Sequence, residues 1–131
     1  MSFLVDTNVI AELARPSPNP AVVRWAQGLD NVAVSVITLD EVFFGLTLKA
    51  NVRVHGWFEA FIERHCLVLD VTPPIARQAG ILRGQLALRG KTRNQADMLI
   101  ASTAAQHGLT LATRNQREFE GCGIALVNPF R

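Results

Sequence analysis

The sequence predicts an α/β protein in which a parallel sheet of about five strands is covered by helices on both faces. Two observations predict this. Its strand candidates are short and almost continuously apolar, as strands buried on both sides must be, and most are separated by stretches with helical periodicity. Glycine and proline punctuate these segments without interrupting them.

Taken in order, Phe3-Leu4-Val5 is an apolar run ending at Asp6, and Thr7 to Ala14 places Val9, Ile10 and Leu13 at helical spacing. Arg15 to Pro20 holds three prolines and reads as a loop, followed by a helix from Ala21 to Gly28. Val32 to Ile37 is the next strand, Thr38 begins a helix to about Leu48, and Val54 to His65 is an amphipathic helix built on Trp57, Phe58, Phe61 and Ile62. Leu67 to Leu69 is a third strand. The pair Pro73-Pro74 suits the first turn of a helix to about Arg89, stopped by Gly90. Asn94 to His107 is a helix ended by Gly108, Leu109 to Ala112 a strand, Arg117 the centre of a short helical turn, and Ile124 to Val127 the last strand.

A chain of 131 residues with 49% hydrophobic content fits one domain, residues 1–131, with one buried core. Cys66 and Cys122 match no metal-ligand spacing and are expected as reduced thiols. The start of the chain has no basic region before its apolar run, and no apolar stretch approaches the ~18 residues of a membrane span, so a soluble, cytoplasmic protein is expected. The net charge of +2 does not announce a nucleic-acid binder. Its distribution is more informative: between Asp70 and Asp97 no acid occurs, while Arg77, Arg83, Arg89, Lys91 and Arg93 do. That side could meet a phosphate backbone or be a solvated helix face.

Parallel α/β sheets carry their sites beyond the carboxyl ends of the strands. Asp6 follows the first strand, and Glu41 and Glu118 follow the second and fourth, while Asp97 opens a helix after a basic loop. Each has a structural explanation. Asp6 suits a helix N-cap, and the other three stand three residues after Thr38, Asn94 and Asn115, the capping-box spacing. If all four converge, like charges ~4–5 Å apart repel by about 3–4 kcal/mol per pair at an effective dielectric near 20, and something positive must offset this. Hard carboxylate oxygens without His or Cys select Mg²⁺ or Mn²⁺ over Zn²⁺. Such a metal serves phosphodiester hydrolysis, as one ion with a carboxylate base or as two ions. His55, His65 and His107 are scattered and are expected at helix surfaces or ends.

At these residues the chain resembles PIN-domain proteins of the VapC toxin type, and more closely the FitB-like branch. The resemblance rests on Leu4-Val5-Asp6-Thr7-Asn8-Val9-Ile10, on Ser35-Val36-Ile37-Thr38 through Glu41 and Gly45, on Asp97 with Leu99-Ile100-Ala101, on Leu111-Ala112-Thr113-Arg114-Asn115 through Phe119, and on Asn128-Pro129, all in the family's order. It implies a three-layer α/β/α fold, Mg²⁺-dependent RNA cleavage, and a homodimer inhibited by a cognate antitoxin. It implies Asp6 and Asp97 as principal metal ligands, Glu41 completing the pocket, and Thr7, Asn8, Thr113 and Asn115 as polar supports. The family usually has Asp where this chain has Glu118, a carboxylate of longer reach. Arg89, Lys91, Arg93 and Arg114 are the candidates for RNA contact. Phe43, Phe44, Trp57, Phe58 and Phe61 fall where related toxins receive an antitoxin or dimerise, although aromatic residues at helical spacing are mostly core. An antitoxin arginine entering the acidic pocket would offset its repulsion as a metal does.

Two other readings fit parts of the sequence. A phospho-acceptor receiver domain would use Asp70 after the third strand, but the first strand ends in a single acid and no lysine follows the last one. The other is a non-catalytic PIN protein that acts only in a DNA-binding complex with its antitoxin.

Overall fold

The computed structural model describes residues 2–131. Among them, five parallel strands form one sheet: β1 (Phe3–Val5), β2 (Val32–Ser35), β3 (Cys66–Leu69), β4 (Thr110–Ala112) and β5 (Leu126–Val127), in the order β3-β2-β1-β4-β5. The helices are α1 (Thr7–Leu13), α2 (Pro20–Gln27), α3 (Val36–Leu48), α4 (Val52–His65), α5 (Pro73–Leu88) and α6 (Gln95–His107), with a 3₁₀ turn at Gln116–Phe119.

The two-residue period of the strands splits the core into two layers. Leu4, Ala33 and Leu111 point to one face, where they pack with Leu86 of α5, Met98 and Ile100 of α6, and Phe119 of the 3₁₀ turn. Their neighbours Val5, Val32 and Val34 point to the other face and meet Val9 and Ile10 of α1, Val22 of α2, Val42 of α3 and Phe58 of α4. This is the three-layer α/β/α arrangement expected from the sequence. No helix among the described residues is long and apolar enough to cross a membrane. Cys66 and Cys122 are not joined by a disulfide.

The sequence reading needs correction after β2. It carried the strand to Ile37 and began the helix at Thr38, whereas the strand stops at Ser35 and α3 starts at Val36. The reason is local: the Ser35 hydroxyl accepts the Ile37 N–H at 3.0 Å and satisfies a first-turn donor. Thr38 is therefore no cap, and Glu41 stands within the helix rather than in a capping box. Smaller differences follow the same logic. Asn51 caps α4, its side-chain Oδ1 accepting from Val54 N–H at 3.0 Å, so that helix opens two residues early at Val52. The last strand is confined to Leu126–Val127. The end of α6 is as read: Gly108, at φ 64°, takes the left-handed conformation that glycine adopts without strain.

The strand order reverses at β1, with β2 on one side and β4 on the other. A crevice opens at such a switch point, beyond the carboxyl ends of the two strands. The order also departs from the 2-1-3-4-5 arrangement of flavodoxin-like receivers, and it puts Asp70 beyond β3 at the sheet edge, away from the crevice.

Candidate metal-dependent nuclease site

Asp6 emerges at the end of β1 and is the N-cap of α1. Only 4% of its surface is exposed. One oxygen, Oδ1, accepts the Thr7 N–H at 2.8 Å, while Oδ2 accepts from the Thr113 hydroxyl at 2.7 Å and from Asn8 Nδ2 at 3.2 Å. Thr113, one residue past β4 and itself buried, is held by the Asn115 N–H donating to its Oγ1 at 3.0 Å. The Asn8 carboxamide spans the same seam, because its Oδ1 accepts the Arg114 N–H at 3.1 Å. The ends of the two central strands are thus tied together through Asp6. Burial nevertheless wins over these three hydrogen bonds and raises the Asp6 carboxyl above its ordinary value.

Glu41 reaches the same place from α3. Its Oε1 accepts the Thr7 hydroxyl at 2.7 Å, and the same hydroxyl lies 3.2 Å from that of Thr38. Thr7 has one proton to give, and the shorter contact to a carboxylate takes it, so Thr38 donates to Thr7. Asp97 comes from the first turn of α6. Asn94 is the N-cap there, with Oδ1 accepting the Asp97 N–H at 2.7 Å and Nδ2 donating to Asp97 Oδ2 at 2.9 Å. Burial, then the charge of Asp6, and then the weaker fields of Glu41 and Glu118 push the Asp97 carboxyl up to about 6, against the pull of Asn94. Glu118 lies on the 3₁₀ turn, fixed by the burial of Phe119 beside it. Asn115 makes no side-chain cap there, which corrects the capping reading of Glu118.

The four acids therefore share one field at the carboxyl end of the sheet. None of them is paired with a cation: among the described residues the one ion pair is Arg15 with Glu12, at 3.1 Å. No three acids, histidines or cysteines among the described residues close on a point tightly enough to enclose a metal. The donor set is carboxylate oxygen, and Mg²⁺ is commonly held by one or two carboxylates with water completing its shell. His55, His65 and His107 are all exposed on or at the ends of helices, outside this cluster.

Of the supports expected from the sequence, Thr7, Asn8 and Thr113 touch the acids directly, and Asn115 acts through Thr113. Of the basic candidates, Arg114 lines a groove of about 890 Å³ with Asn94, Asp97, Asn115 and Glu118. Arg93 does not line it but donates to the carbonyl of Arg117, which does, at 3.3 Å. Arg89 and Lys91 are exposed but do not line the groove. Arg117 and Arg131 do line it and were not singled out, because cations distant in sequence carry no local signal. Thr38 and Asn94 reach the site beyond the capping role the sequence suggests, Thr38 through Thr7 and Asn94 on the Asp97 carboxylate, and their three-residue spacing to Glu41 and Asp97 is the local signal of it.

The aromatic residues divide. Phe58 is buried, Phe44 is 65% exposed, and Trp57 and Phe61 stack at 4.8 Å. The stacked pair lines an apolar groove of about 560 Å³ between α2 and α4, with Trp25 and Leu29 also lining it and none of the four acids among its walls.

Comparison with known proteins places this geometry in context. A model of the PIN domain matches residues 3–121. The chain is 36% identical to toxin FitB of Neisseria gonorrhoeae over 98% of both proteins. It is 34% identical to the VapC ribonuclease Y4jK of Sinorhizobium fredii, over 98% of this chain and 97% of that protein. Its fold is similar to that in the VapBC2 complex of Rickettsia felis bound to a promoter DNA fragment, with TM-score 0.85, 26% identity and 98% of each chain covered.

Proposed function

The chain belongs to the PIN-domain family, and from that premise we propose that it is the ribonuclease toxin of a toxin–antitoxin pair. It hydrolyses RNA phosphodiester bonds in the cytoplasm with Mg²⁺ or Mn²⁺. The observation that carries the reading is the convergence of Asp6, Glu41, Asp97 and Glu118, from four separate elements, with no protein cation paired to them among the described residues. Helix caps alone would not require this, since a cap works on its own helix.

Asp6 and Asp97 are the residues that would hold the metal, and a bound divalent ion supplies a more acidic water and charge neutralisation at the scissile phosphate. The remaining chemistry falls to the chain. Asn8, Thr7 and Thr113 fix both oxygens of Asp6, so that carboxylate is in place before substrate arrives. Glu41 commits Oε1 to Thr7 and keeps Oε2 for the proton released as water attacks phosphorus, while the ribose oxygen leaves as the P–O bond breaks and is protonated from solvent. The solved VapBC2 relative is bound to promoter DNA, and by analogy an antitoxin seats a segment in the Trp25–Trp57–Phe61 groove, inserts a cation among the acids, and carries the complex, with the toxin as a homodimer, to DNA.

The test is direct. The purified chain, freed of antitoxin, is incubated with total RNA and Mg²⁺ or Mn²⁺ beside Asp6→Asn and Asp97→Asn, and new RNA ends are mapped. Discrete cuts are expected that EDTA stops and that each substitution reduces at least ~100-fold. Folded proteins that all cut equally would show that the acids are not the source of the cleavage, and folded proteins that all cut nothing would overturn the reading in favour of a protein that only binds DNA with its antitoxin.

A further inference from the structure

Arg114 is a permanent cation set among acids and paired with none of them. Beside it in the groove are Asp97 and Glu118, and beyond it Glu12 lines an adjoining recess, yet no carboxylate lies within ion-pair distance of its guanidinium among the described residues. Glu12 is already satisfied by Arg15 at 3.1 Å and by the Asn19 N–H at 2.9 Å. What holds Arg114 is the ring of Phe130, whose centroid is 4.8 Å from Cζ. The ring is itself set by a turn: the Phe130 N–H donates to Asn128 Oδ1 at 3.0 Å, Pro129 is buried, and Phe130 packs against the core of the α1 face.

A guanidinium held over a ring by cation–π attraction commits no N–H donor to an acid, and its five donors form a fork that fits a phosphate. Its backbone N–H is meanwhile bound to Asn8, which binds Asp6, so its position is referenced to the acidic pocket. Without the ring, no side-chain contact among the described residues would keep this guanidinium from folding onto Asp97 or Glu118.

We propose that Arg114 grips a backbone phosphate of RNA lying in the groove, and that Phe130 is the positioning residue that keeps its donors free for it. The proposal rests on the ribonuclease reading, and its test separates the two. In an Asp97→Asn background, which prevents cutting, the affinity for a labelled single-stranded oligouridylate is measured over a range of salt. Arg114→Ala is expected to weaken binding ~5- to 10-fold and to lower the salt slope by about 0.7, one single-strand phosphate contact. Phe130→Leu keeps the apolar packing but not the π-face, and should weaken binding nearly as much, while Phe130→Trp restores it. Arg114→Ala with Phe130→Leu should be no weaker than Arg114→Ala alone. With Asp97 intact, the same changes should raise KM and leave kcat within ~2-fold. Arg24→Ala, an exposed arginine on α2 away from the groove, controls for loss of one charge.

Multiplying losses, a Phe130→Leu protein that binds like its parent, or an Arg114→Ala protein no weaker than the Arg24→Ala control would overturn the proposal. If the unmodified chain cuts RNA and these variants leave affinity unchanged, this inference fails alone. If it cuts nothing while binding follows the pair, the ribonuclease reading fails and the inference stands. If it neither cuts nor binds, both fall.

Discussion

The acidic pocket has two unlike halves. On the β1 side, Asp6 is buried and both its oxygens are occupied by Thr7, Asn8 and Thr113, donors drawn from α1 and the end of β4. On the α6 side, Asp97 and Glu118 are only half-buried, and Asn94 alone holds the Asp97 carboxylate. One half is built in advance and tolerates little; the other is loosely held and pressed by its neighbours' charge. A site that must grip an ion firmly and still admit a bulky polyanion needs both characters.

The rigid half should break most visibly through Thr113. Thr113→Val keeps the shape but removes the hydroxyl that donates to Asp6 at 2.7 Å and accepts from Asn115. A buried carboxylate oxygen and a backbone N–H would each lose a partner, at a cost of about 1–3 kcal/mol in stability. RNA cleavage should fall ~10- to 100-fold, the usual consequence of losing a group that orients a metal ligand. Denaturant melts and initial rates check both. Unchanged activity at reduced stability would mean that Asp6 does not depend on this brace.

The loose half should be sharpened by pH. Folding raises the Asp97 carboxyl to about 6, so the native state holds a proton that the unfolded chain releases near pH 4. Over that window the native state binds more protons, and stability of the metal-free protein should fall as pH rises from about 4 to about 6 and level above it. Asp6, shifted in the same direction, adds to the slope. Asp97→Asn should remove most of this dependence and stabilise the protein in EDTA at pH 7 by on the order of 1 kcal/mol after allowance for solvent screening. Saturating Mg²⁺ should raise the Tm of the unmodified chain and leave that of Asp97→Asn nearly unchanged. A flat or opposite pH profile would show that burial and the neighbouring carboxylates do not raise the Asp97 carboxyl.

The same division explains what could be read from the sequence. The sheet and helices were legible because Val32-Ala33-Val34 and Leu67-Val68-Leu69 are apolar runs too short for helices, the first a fully buried strand and the second a half-exposed strand at the sheet edge, and because Gly108 and Pro73-Pro74 mark helix ends. The start of α3 was not, since Val36 and Ile37 are as apolar as a strand and only the Ser35 cap decides the matter. The acids were legible as a set from their places after strands and in the first turn of α6. The brace of Asp6 by Thr113 spans 107 positions and is a product of β1 pairing with β4, which no local pattern encodes. Arg117, Arg131 and the ring of Phe130 escaped for the same reason: each reaches the groove through tertiary folding alone.

The smallest expected effect concerns Glu118, which separates the two halves most finely. It stands on a 3₁₀ turn rather than at a strand end, and its charge is the weakest of the three carboxylates acting on Asp97. Its extra methylene relative to aspartate lets the carboxylate swing, while Phe119 pins the backbone in the core. A carboxylate so placed repels its neighbours and tunes the pocket without ligating firmly. Glu118→Gln, which removes the charge and keeps the length, should therefore reduce cleavage by less than ~5-fold at saturating Mg²⁺, against at least ~100-fold for Asp97→Asn. It should also lower the pH at which the Asp97 carboxyl titrates in the metal-free protein, a shift that carbon NMR of the side chain would follow directly. A loss as deep as that of Asp97→Asn would instead make Glu118 a metal ligand in its own right, and the α6 half of the pocket as exacting as the β1 half.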